Sequence, residues 1–322
     1  MAASGLVIED LTKVFRGGRG RAVRAVDGVS LSAHPGEIVG LLGANGAGKT
    51  TTLKCASTLV IPTSGRILVD GVDAISSPRR AVRKIAAVLE GTRNIYWRLT
   101  SKENLQFFAE LQGIPVRRVR VKIDALLERF GLGDKRDTPA RMLSKGMQQK
   151  LALACALVKD TPVLLLDEPT LGLDPRASHD FRLLVRELSR QDGRTIVFSS
   201  HDMAAVESVC DRVIIVDRGR VVTDESVSNL VDLFRVRAYT FTVVGQLDVG
   251  QRNALYRLVP DLKLTDEDEH VVLDVEFPNP SSFYEVLDVL RQRECVVESI
   301  ERRDPNLEQI FLRIVDKSGR SS

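Results

Sequence analysis

Residues 43–50 read Gly-Ala-Asn-Gly-Ala-Gly-Lys-Thr, which fits the phosphate-loop pattern G-x-x-x-x-G-K-[ST]. Its glycines let the backbone curl so that successive N–H groups converge on phosphate oxygens. Lys49 brings a positive charge to the β- and γ-phosphates, and the Thr50 hydroxyl can bind Mg²⁺. The flanks agree, because residues 37–42 predict a buried strand and residues 50–58 a helix whose N-terminus faces the anion. A glycine-rich turn with an incidental lysine is therefore disfavoured.

The composition is that of an ordinary globular chain. Its 322 residues leave room for two domains, or for one large and one small. The 46 basic and 43 acidic side chains give a net charge of +3, and this near balance indicates no nucleic-acid partner. The basic stretch at residues 16–21 predicts a solvated loop between two strands, with phospholipid or nucleic-acid contact as a lesser alternative.

The sequence predicts neither secretion of the protein itself nor its insertion into a membrane. The N-terminal residues lack a charged region followed by a long apolar core, so we expect no signal peptide. No stretch approaches the roughly 18 consecutive apolar residues of a transmembrane helix, so any membrane role must come through a partner. Four widely spaced cysteines without a C-x-x-C pair predict reduced thiols, mostly buried, in a cytosolic protein: Cys55, Cys155, Cys210 and Cys295.

Apolar runs predict a mainly parallel sheet with helices on both faces. The runs that read as buried parallel strands are residues 163–166, 195–199 and 213–216. Short strands are expected before the phosphate loop at residues 5–9, 23–27 and 29–33, and after it at residues 65–71, which suggests an antiparallel sheet beside the loop. Helical periodicity covers residues 101–131 and 144–158.

After about residue 230 the pattern changes. Strands at residues 238–244, 262–264, 271–277 and 295–300 alternate with helices at residues 248–258 and 281–293. This order resembles a split β-α-β-β-α-β unit, and a last helix is expected at residues 306–315.

A phosphate loop alone leaves kinases, GTPases and many ATPases open, and a second motif narrows the field. Residues 163–168 read Val-Leu-Leu-Leu-Asp-Glu, so a buried strand ends in two carboxylates where ligands of open α/β sheets bind. Asp167 can hold Mg²⁺, and Glu168 can polarise an attacking water as general base. The alternative is that Asp-Glu-Pro only ends a strand and starts a helix; beside a phosphate loop this is disfavoured.

A third motif settles the class. Residues 143–148 read Leu-Ser-Lys-Gly-Met-Gln, which resembles the Leu-Ser-Gly-Gly-Gln signature of the ATP-binding subunits of ABC transporters. Lys145 and Met147 replace signature residues, a variant that is similar to the branch serving drug, lipid and polysaccharide exporters. Ser144 opens a helix, so its hydroxyl and the first N–H groups can bind a γ-phosphate. Ser144 taken alone would be read as a plain N-cap.

The resemblance covers residues 5–225 and implies an α/β fold. We expect a RecA-like P-loop core with an antiparallel β subdomain and a helical subdomain, followed by a small α+β domain. The corresponding bounds are residues 5–228 for the nucleotide-binding domain, about 95–158 for its helical subdomain, and 236–316 for a ferredoxin-like accessory domain. The segment 304–312 is loosely similar to the end of accessory domains on drug-exporter ATPases.

The resemblance also implies the roles of individual residues. Glu168, His201 and Lys49 are expected to be catalytic, with His201 contacting the γ-phosphate. Asp174 falls in a segment similar to the D-loop, at the seam of a dimer. Phe15 falls where an aromatic ring stacks on adenine, although a core phenylalanine is nearly as well supported. The nucleotide is expected to contact Phe15, Gly43, Asn45, Gly46, Gly48, Lys49, Thr50, Thr51, Ser144, Gly146 and Asp174.

One position departs from the family pattern. The Q-loop glutamine should lie near residue 90, where this chain has Glu90. Its carboxylate can still bind Mg²⁺ through water, so the expected metal set is Thr50, Asp167 and Glu90. The only tryptophan, Trp97, follows closely, and packing within the helical subdomain is favoured over contact with a permease.

The resulting interpretation is an ATPase that uses ATP and Mg²⁺, forms a homodimer or pairs with a paralogous subunit, and drives an integral membrane permease from the cytoplasmic face of the membrane. Export is favoured over import, and no nucleic-acid partner is expected. A soluble ABC-type ATPase acting on DNA, ribosomes or cluster assembly is the main alternative, but the chain has neither long coiled-coil insertions nor two ATPase units. A GTPase is disfavoured because no Asn-Lys-x-Asp motif occurs.

Overall fold

The computed structural model describes residues 5–16, 22–90, 94–233, 237–260, 262–267, 269–277, 281–291 and 295–303. The chain divides between Val227 and Ser228 into two compact units. In the described ranges no helix is both long and apolar enough to cross a bilayer.

The first unit combines strands and helices. Its strands are β1 (Leu6–Arg16), β2 (Ala22–Ala33), β3 (Ile38–Leu42), β4 (Ser64–Val69), β5 (Val72–Asp73), β6 (Ile85–Val88), β7 (Val163–Asp167), β8 (Thr195–Ser200), β9 (Arg212–Asp217) and β10 (Arg220–Ser226). Its helices are α1 (Lys49–Ala56), α2 (Pro78–Ala81), α3 (Ser101–Leu111), α4 (Val116–Arg129), α5 (Lys145–Leu157), α6 (Pro175–Arg190) and α7 (Met203–Val209). Helix α8 (Val227–Leu233) follows at the boundary.

A six-stranded sheet in the order β10-β9-β3-β8-β7-β6 carries the phosphate loop. Strands β6, β7, β8, β3 and β9 pair in parallel, and β10 pairs antiparallel to β9. Every residue of β3, β7 and β8 is buried, as expected for parallel strands covered on both faces. Because β3, β8 and β7 are neighbours, the segments that follow their carboxyl ends lie side by side.

A four-stranded antiparallel sheet in the order β2-β1-β4-β5 packs on the same apolar core. The strands expected at residues 23–27 and 29–33 are one bulged strand, β2. Its pairing with β1 shifts register between Leu11 and Lys13, opposite Gly28. Gly28 has a φ of +70°, a conformation that favours glycine. A β-bulge accommodates such a residue, so the strand continues past it.

The residues predicted to be helical between β6 and β7 are mostly helical in the structure. Residues 101–131 form two helices, α3 and α4, because Gly113 adopts a φ of +72° and Pro115 lacks a backbone N–H. Helix α3 begins with a capping box in which Thr100 and Glu103 each accept the other's backbone N–H.

The second unit has the order β11 (Arg237–Val244), α9 (Val249–Leu258), β12 (Lys263–Asp266), β13 (His270–Phe277), α10 (Ser281–Arg291) and β14 (Val296–Arg303). Its antiparallel sheet runs β12-β13-β11-β14, and the element order is that of the split β-α-β-β-α-β unit. Phe241, Phe277 and Phe283 pack against one another with Tyr239 in its core. The helix expected at residues 306–315 lies outside the described residues.

Candidate nucleotide site

The phosphate loop joins β3 to α1 in a conformation that requires its glycines. Gly46 and Gly48 have φ values of +83° and +110°, where residues with a Cβ are strained. A Cβ on Gly43 would lie 2.3 Å from the Val216 carbonyl oxygen, and one on Gly48 would lie 2.6 Å from that of Ala25. The loop backbone at these glycines therefore packs directly against neighbouring backbone. The opposite part of the loop, which includes the exposed Asn45, faces solvent.

Lys49, the first residue of α1, is almost fully buried. Its ammonium donates to the carbonyl oxygens of Gly43 at 2.7 Å and Ala44 at 3.3 Å. The same nitrogen lies 3.6 Å from Oε1 of Glu168, whose side chain is also buried. A buried ammonium needs such partners, so the lysine charge is fixed beneath the loop.

Asp167, at the end of β7, holds its two carboxylate oxygens in different environments. Oδ1 accepts hydrogen bonds from the hydroxyls of Ser199 at 2.6 Å and Thr50 at 3.1 Å. Within the described residues, Oδ2 is buried and has no hydrogen-bond partner. An unpaired buried carboxylate oxygen is costly, and a divalent cation bound there would satisfy it.

The oxygen donors present fit Mg²⁺. A carboxylate and a hydroxyl are hard ligands, and Mg²⁺ is commonly bound by one or two carboxylates together with substrate phosphates. In the described part of the chain no group of three or more His, Cys, Asp or Glu side chains is placed to hold a metal by itself. A magnesium ion brought in with a nucleotide is the kind of metal that this site can accept.

Glu168 sits on a strained turn directly after β7. Its φ is +48°, a conformation that costs a non-glycine residue about 1–3 kcal/mol and recurs at functional sites. Its backbone N–H donates to the carbonyl oxygen of Ser199 at 3.1 Å and to the Ser199 hydroxyl at 3.2 Å. Its Oε2 lies 2.9 Å from Nδ1 of His201 and accepts from the Ser200 hydroxyl at 3.3 Å. The carboxylate is thus aimed by fixed neighbours, while His201 remains half-exposed.

Ser144, Gly146 and Asp174 form a second group, at the N-terminal ends of α5 and α6. Ser144 and Asp174 are N-caps: they accept from the backbone N–H groups of Met147 at 3.3 Å and Ala177 at 2.9 Å. A Cβ on Gly146 would lie 2.8 Å from Cβ of Ala177, so the glycine allows the two helices to meet. The capping role of Ser144 is therefore present, and its side chain is exposed as well.

Phe15 and Glu90 lie in two further places. The Phe15 ring is 42% exposed, which leaves it available for stacking, and Nζ of Lys13 lies 5.0 Å from its centroid. Glu90 is exposed two residues after β6, at the carboxyl edge that β6 shares with β7. Thr51, in the first turn of α1, is half-buried.

Sequence reasoning missed Ser199 and Ser200 as site residues. Ser199 lies directly beside Asp167 in the parallel register of β7 and β8. The one available signal was a hydroxyl pair at the end of an apolar strand, immediately before His201. The pattern does not state which strand is the neighbour, so the contact could not be inferred from it.

Comparison with known proteins agrees with this geometry. The ABC transporter family model matches residues 26–171. The chain is 38% identical over 245 residues to the ABC transporter ATP-binding protein NatA of Bacillus subtilis, across 76% of this chain and 99% of that protein. It is 37% identical over 227 residues to the methionine import ATP-binding protein MetN of Haemophilus influenzae, across 69% of this chain and 65% of that protein. The post-hydrolysis dimer of the ATP-binding cassette MJ0796 with ADP and Pi superposes with a TM-score of 0.62 at 26% identity, across 69% of this chain and 98% of that one.

The chain belongs to the ATP-binding subunits of ABC transporters, and it is an ATPase whose hydrolysis of ATP powers transport. The predicted family, enzyme class and fold class are confirmed. The relatives do not single out the exporter branch, because the name of NatA states no direction and that of MetN states import.

Proposed function

We propose that this chain pairs with a second ATPase subunit, either a copy of itself or a paralogue, and drives a separate integral membrane permease from the cytoplasmic face of the cell membrane. The observation that carries the proposal is the convergence of Lys49, Asp167 and Glu168 at one sheet edge. Ser144 is exposed in a separate place, at the start of α5, where a partner's nucleotide could reach it. The MJ0796 cassette, which was solved as a dimer with ADP and Pi, supports this arrangement.

The residues of the cluster divide the chemistry of ATP hydrolysis among them. The loop N–H groups and Lys49 bind and neutralise the phosphates, and positioning of this kind supplies most of the catalysis in phosphoryl transfer. Glu168 accepts a proton from the attacking water, and His201 and Ser200 orient its carboxylate. Mg²⁺, when bound, supplies positive charge against the phosphate oxygens. Thr50 and Asp167 would hold it, with Glu90 as a further oxygen donor.

The permease would dock on an aromatic groove in the helical subdomain. The groove has a volume of about 660 Å³ and is lined by Ile95, Tyr96, Trp97, Arg98, Leu99 and Phe107. Trp97 is 64% exposed, so the packing favoured for it from sequence is wrong. Exposed aromatic side chains beside a cation suit a cytoplasmic segment of the permease that carries apolar residues and an acidic one.

Asn104 gives this groove a fixed shape. Its fully buried side chain accepts from the backbone N–H of Tyr96 at 2.7 Å. The two N–H groups of its amide are shared among three backbone carbonyl oxygens, which lie 3.0 Å (Tyr96), 3.1 Å (Leu99) and 2.9 Å (Thr100) from Nδ2. A pre-organised surface lowers the entropic cost of docking, which favours a binding role for the segment.

The domain bounds and the direction of transport belong to the same proposal. Residues 5–228 form the nucleotide-binding domain with a helical subdomain at about 95–158, and residues 236–316 form the accessory domain; the division of the chain between Val227 and Ser228 supports the boundary between the two domains. Export of drug-like, lipid or polysaccharide cargo rests on Lys145 and Met147 of the signature. The methionine-import relatives make import the competing outcome.

The test is reconstitution of the chain with its permease in liposomes. We expect Trp97→Ala to keep the ATPase rate of the free subunit and to lose transport. Tyr284→Ala, which removes an equally exposed ring from the second unit, is the matched control and should change neither. Undiminished transport by the Trp97 variant would refute the docking site. The direction in which cargo crosses the liposome membrane when ATP is added decides between export and import.

A further inference from the structure

We propose that Ser199 is a positioning residue: its hydroxyl turns Asp167 so that one carboxylate oxygen faces the Mg²⁺ that accompanies ATP, and it also fixes the backbone of Glu168. The inference rests on the proposed function, because it takes the substrate to be ATP with Mg²⁺. Both Asp167 and Glu168 form a hydrogen bond with this hydroxyl.

The geometry makes Ser199 a bridge between the two acids. Its fully buried hydroxyl donates to Oδ1 of Asp167 at 2.6 Å and accepts from the backbone N–H of Glu168 at 3.2 Å. A hydroxyl offers one donor and two acceptor sites, so one side chain serves both residues at once. It thereby ties the carboxylate of one acid to the strained backbone of the next, whose φ is +48°.

The two oxygens of Asp167 show what this contact accomplishes. Oδ1 receives both hydroxyl donors, Ser199 and Thr50, while Oδ2 is buried and without a partner in the described residues. Thr50 can also ligate the metal, and its contact is the longer of the two at 3.1 Å. The shorter hydrogen bond, from Ser199 at 2.6 Å, is therefore the one that we assign to setting the rotation of the carboxylate. Groups that orient a metal ligand in this way typically contribute ten- to a hundredfold to metal affinity.

The experiment compares Ser199→Ala and Ser199→Cys with wild type. The cysteine variant keeps a group at the γ position, slightly larger than the hydroxyl, and offers only a weak donor. It therefore separates loss of the hydrogen bond from loss of packing. Ser189→Ala is the matched control: Ser189 is also buried, and its hydroxyl has no partner within the described residues. Thermal unfolding of each variant reports on folding.

Binding of a fluorescent ATP analogue is titrated in EDTA and in Mn²⁺, and electron paramagnetic resonance measures Mn²⁺ held by the nucleotide-bound protein. We expect both Ser199 variants to bind the analogue as wild type does in EDTA and to need about ten- to a hundredfold more Mn²⁺ for half-saturation. Ser189→Ala should match wild type in both. Equal Mn²⁺ affinity in Ser199→Cys and wild type would overturn the inference alone, whereas wild-type protein that binds no analogue in either buffer would overturn the proposed function.

Discussion

Nζ of Lys49 lies 3.6 Å from Oε1 of Glu168, although one residue begins α1 and the other follows β7. Both side chains are buried, and the lysine also donates to the Gly43 carbonyl oxygen. The cation proposed to bind phosphate and the carboxylate proposed to accept a proton from water are thus neighbours. The two side chains meet at the carboxyl edge of the sheet, where β8 lies between β3 and β7.

Lys49→Ala is expected to weaken ATP binding by about ten- to a hundredfold, because hydrogen bonds to a charged group contribute about 1.5–3 kcal/mol. Isothermal titration with ATP measures the effect. Lys54→Ala, which removes a lysine from the last turn of the same helix, should leave the affinity unchanged. Equal affinity in the Lys49 variant would contradict its assignment to the phosphates.

Glu168→Gln should keep ATP binding and lower phosphate release by about a hundred- to ten-thousandfold, since the amide cannot accept the proton from water. The variant should also accumulate as an ATP-bound dimer in size-exclusion chromatography. Glu110→Gln removes an exposed carboxylate of α3 and should hydrolyse ATP at the wild-type rate. Steady-state turnover of the Glu168 variant at that same rate would exclude it as the base.

Asn104→Ala is expected to lower the free energy of unfolding by about 1–3 kcal/mol, because it leaves the backbone N–H of Tyr96 without its acceptor. It also removes one of the two hydrogen bonds that the carbonyl oxygens of Tyr96, Leu99 and Thr100 each accept. Trp97 is the only tryptophan and lies in the loop that Asn104 holds, so urea unfolding can be followed by its fluorescence. Gln112→Ala, at an exposed position after the same helix, should change the stability little. If Asn104→Ala unfolds at the same urea concentration as wild type, the loop that contains Trp97 does not depend on this side chain.

Asp160 should make stability depend on pH at the acid end. The hydrogen bond from Arg194 lowers the pKa of this carboxyl below its ordinary value of 3.8, with Lys122 assisting. A lowered pKa in the folded state stabilises the protein above pH 3.8, and the contribution disappears as the pH falls through the folded-state pKa. Asp160→Asn keeps the left-handed backbone of this residue, which has a φ of +61°. The difference in Tm between the variant and wild type should therefore be constant from pH 7 to pH 5 and shrink below about pH 4. A difference in Tm that became larger as the pH fell would contradict the predicted direction of the pH dependence.

Prediction from sequence succeeded where a short segment carries its own geometry. The phosphate loop needs only its glycines and Lys49, and the acid pair needs only the end of an apolar strand, so each chemical role follows from consecutive residues. Prediction was less accurate where the backbone absorbs an irregularity. Gly28 lies within β2, which continues past it, whereas Gly113 and Pro115 separate the end of α3 from the start of α4. The two glycines had different effects because β2 remains paired with β1 on both sides of Gly28.

The exposure of Trp97 shows a different limit. Burial is the usual fate of a large ring, and the sequence around Trp97 contains nothing that overrides it. Hydrogen bonds between the Asn104 side chain and the backbone of Tyr96, Leu99 and Thr100 hold this segment in place, and they depend on the way α3 packs against it.

The sequence by itself determined the family and the reaction, and it singled out the acidic and basic residues proposed to carry that reaction, because motifs of consecutive residues encode the local geometry that binds phosphate. Only the tertiary structure decided which oxygen of Asp167 accepts the hydroxyls of Ser199 and Thr50, and that Lys49 and Glu168 meet. Those relations depend on the order and register of β3, β8 and β7. Strand order and register are set by packing between distant segments, and no single stretch of the chain records them.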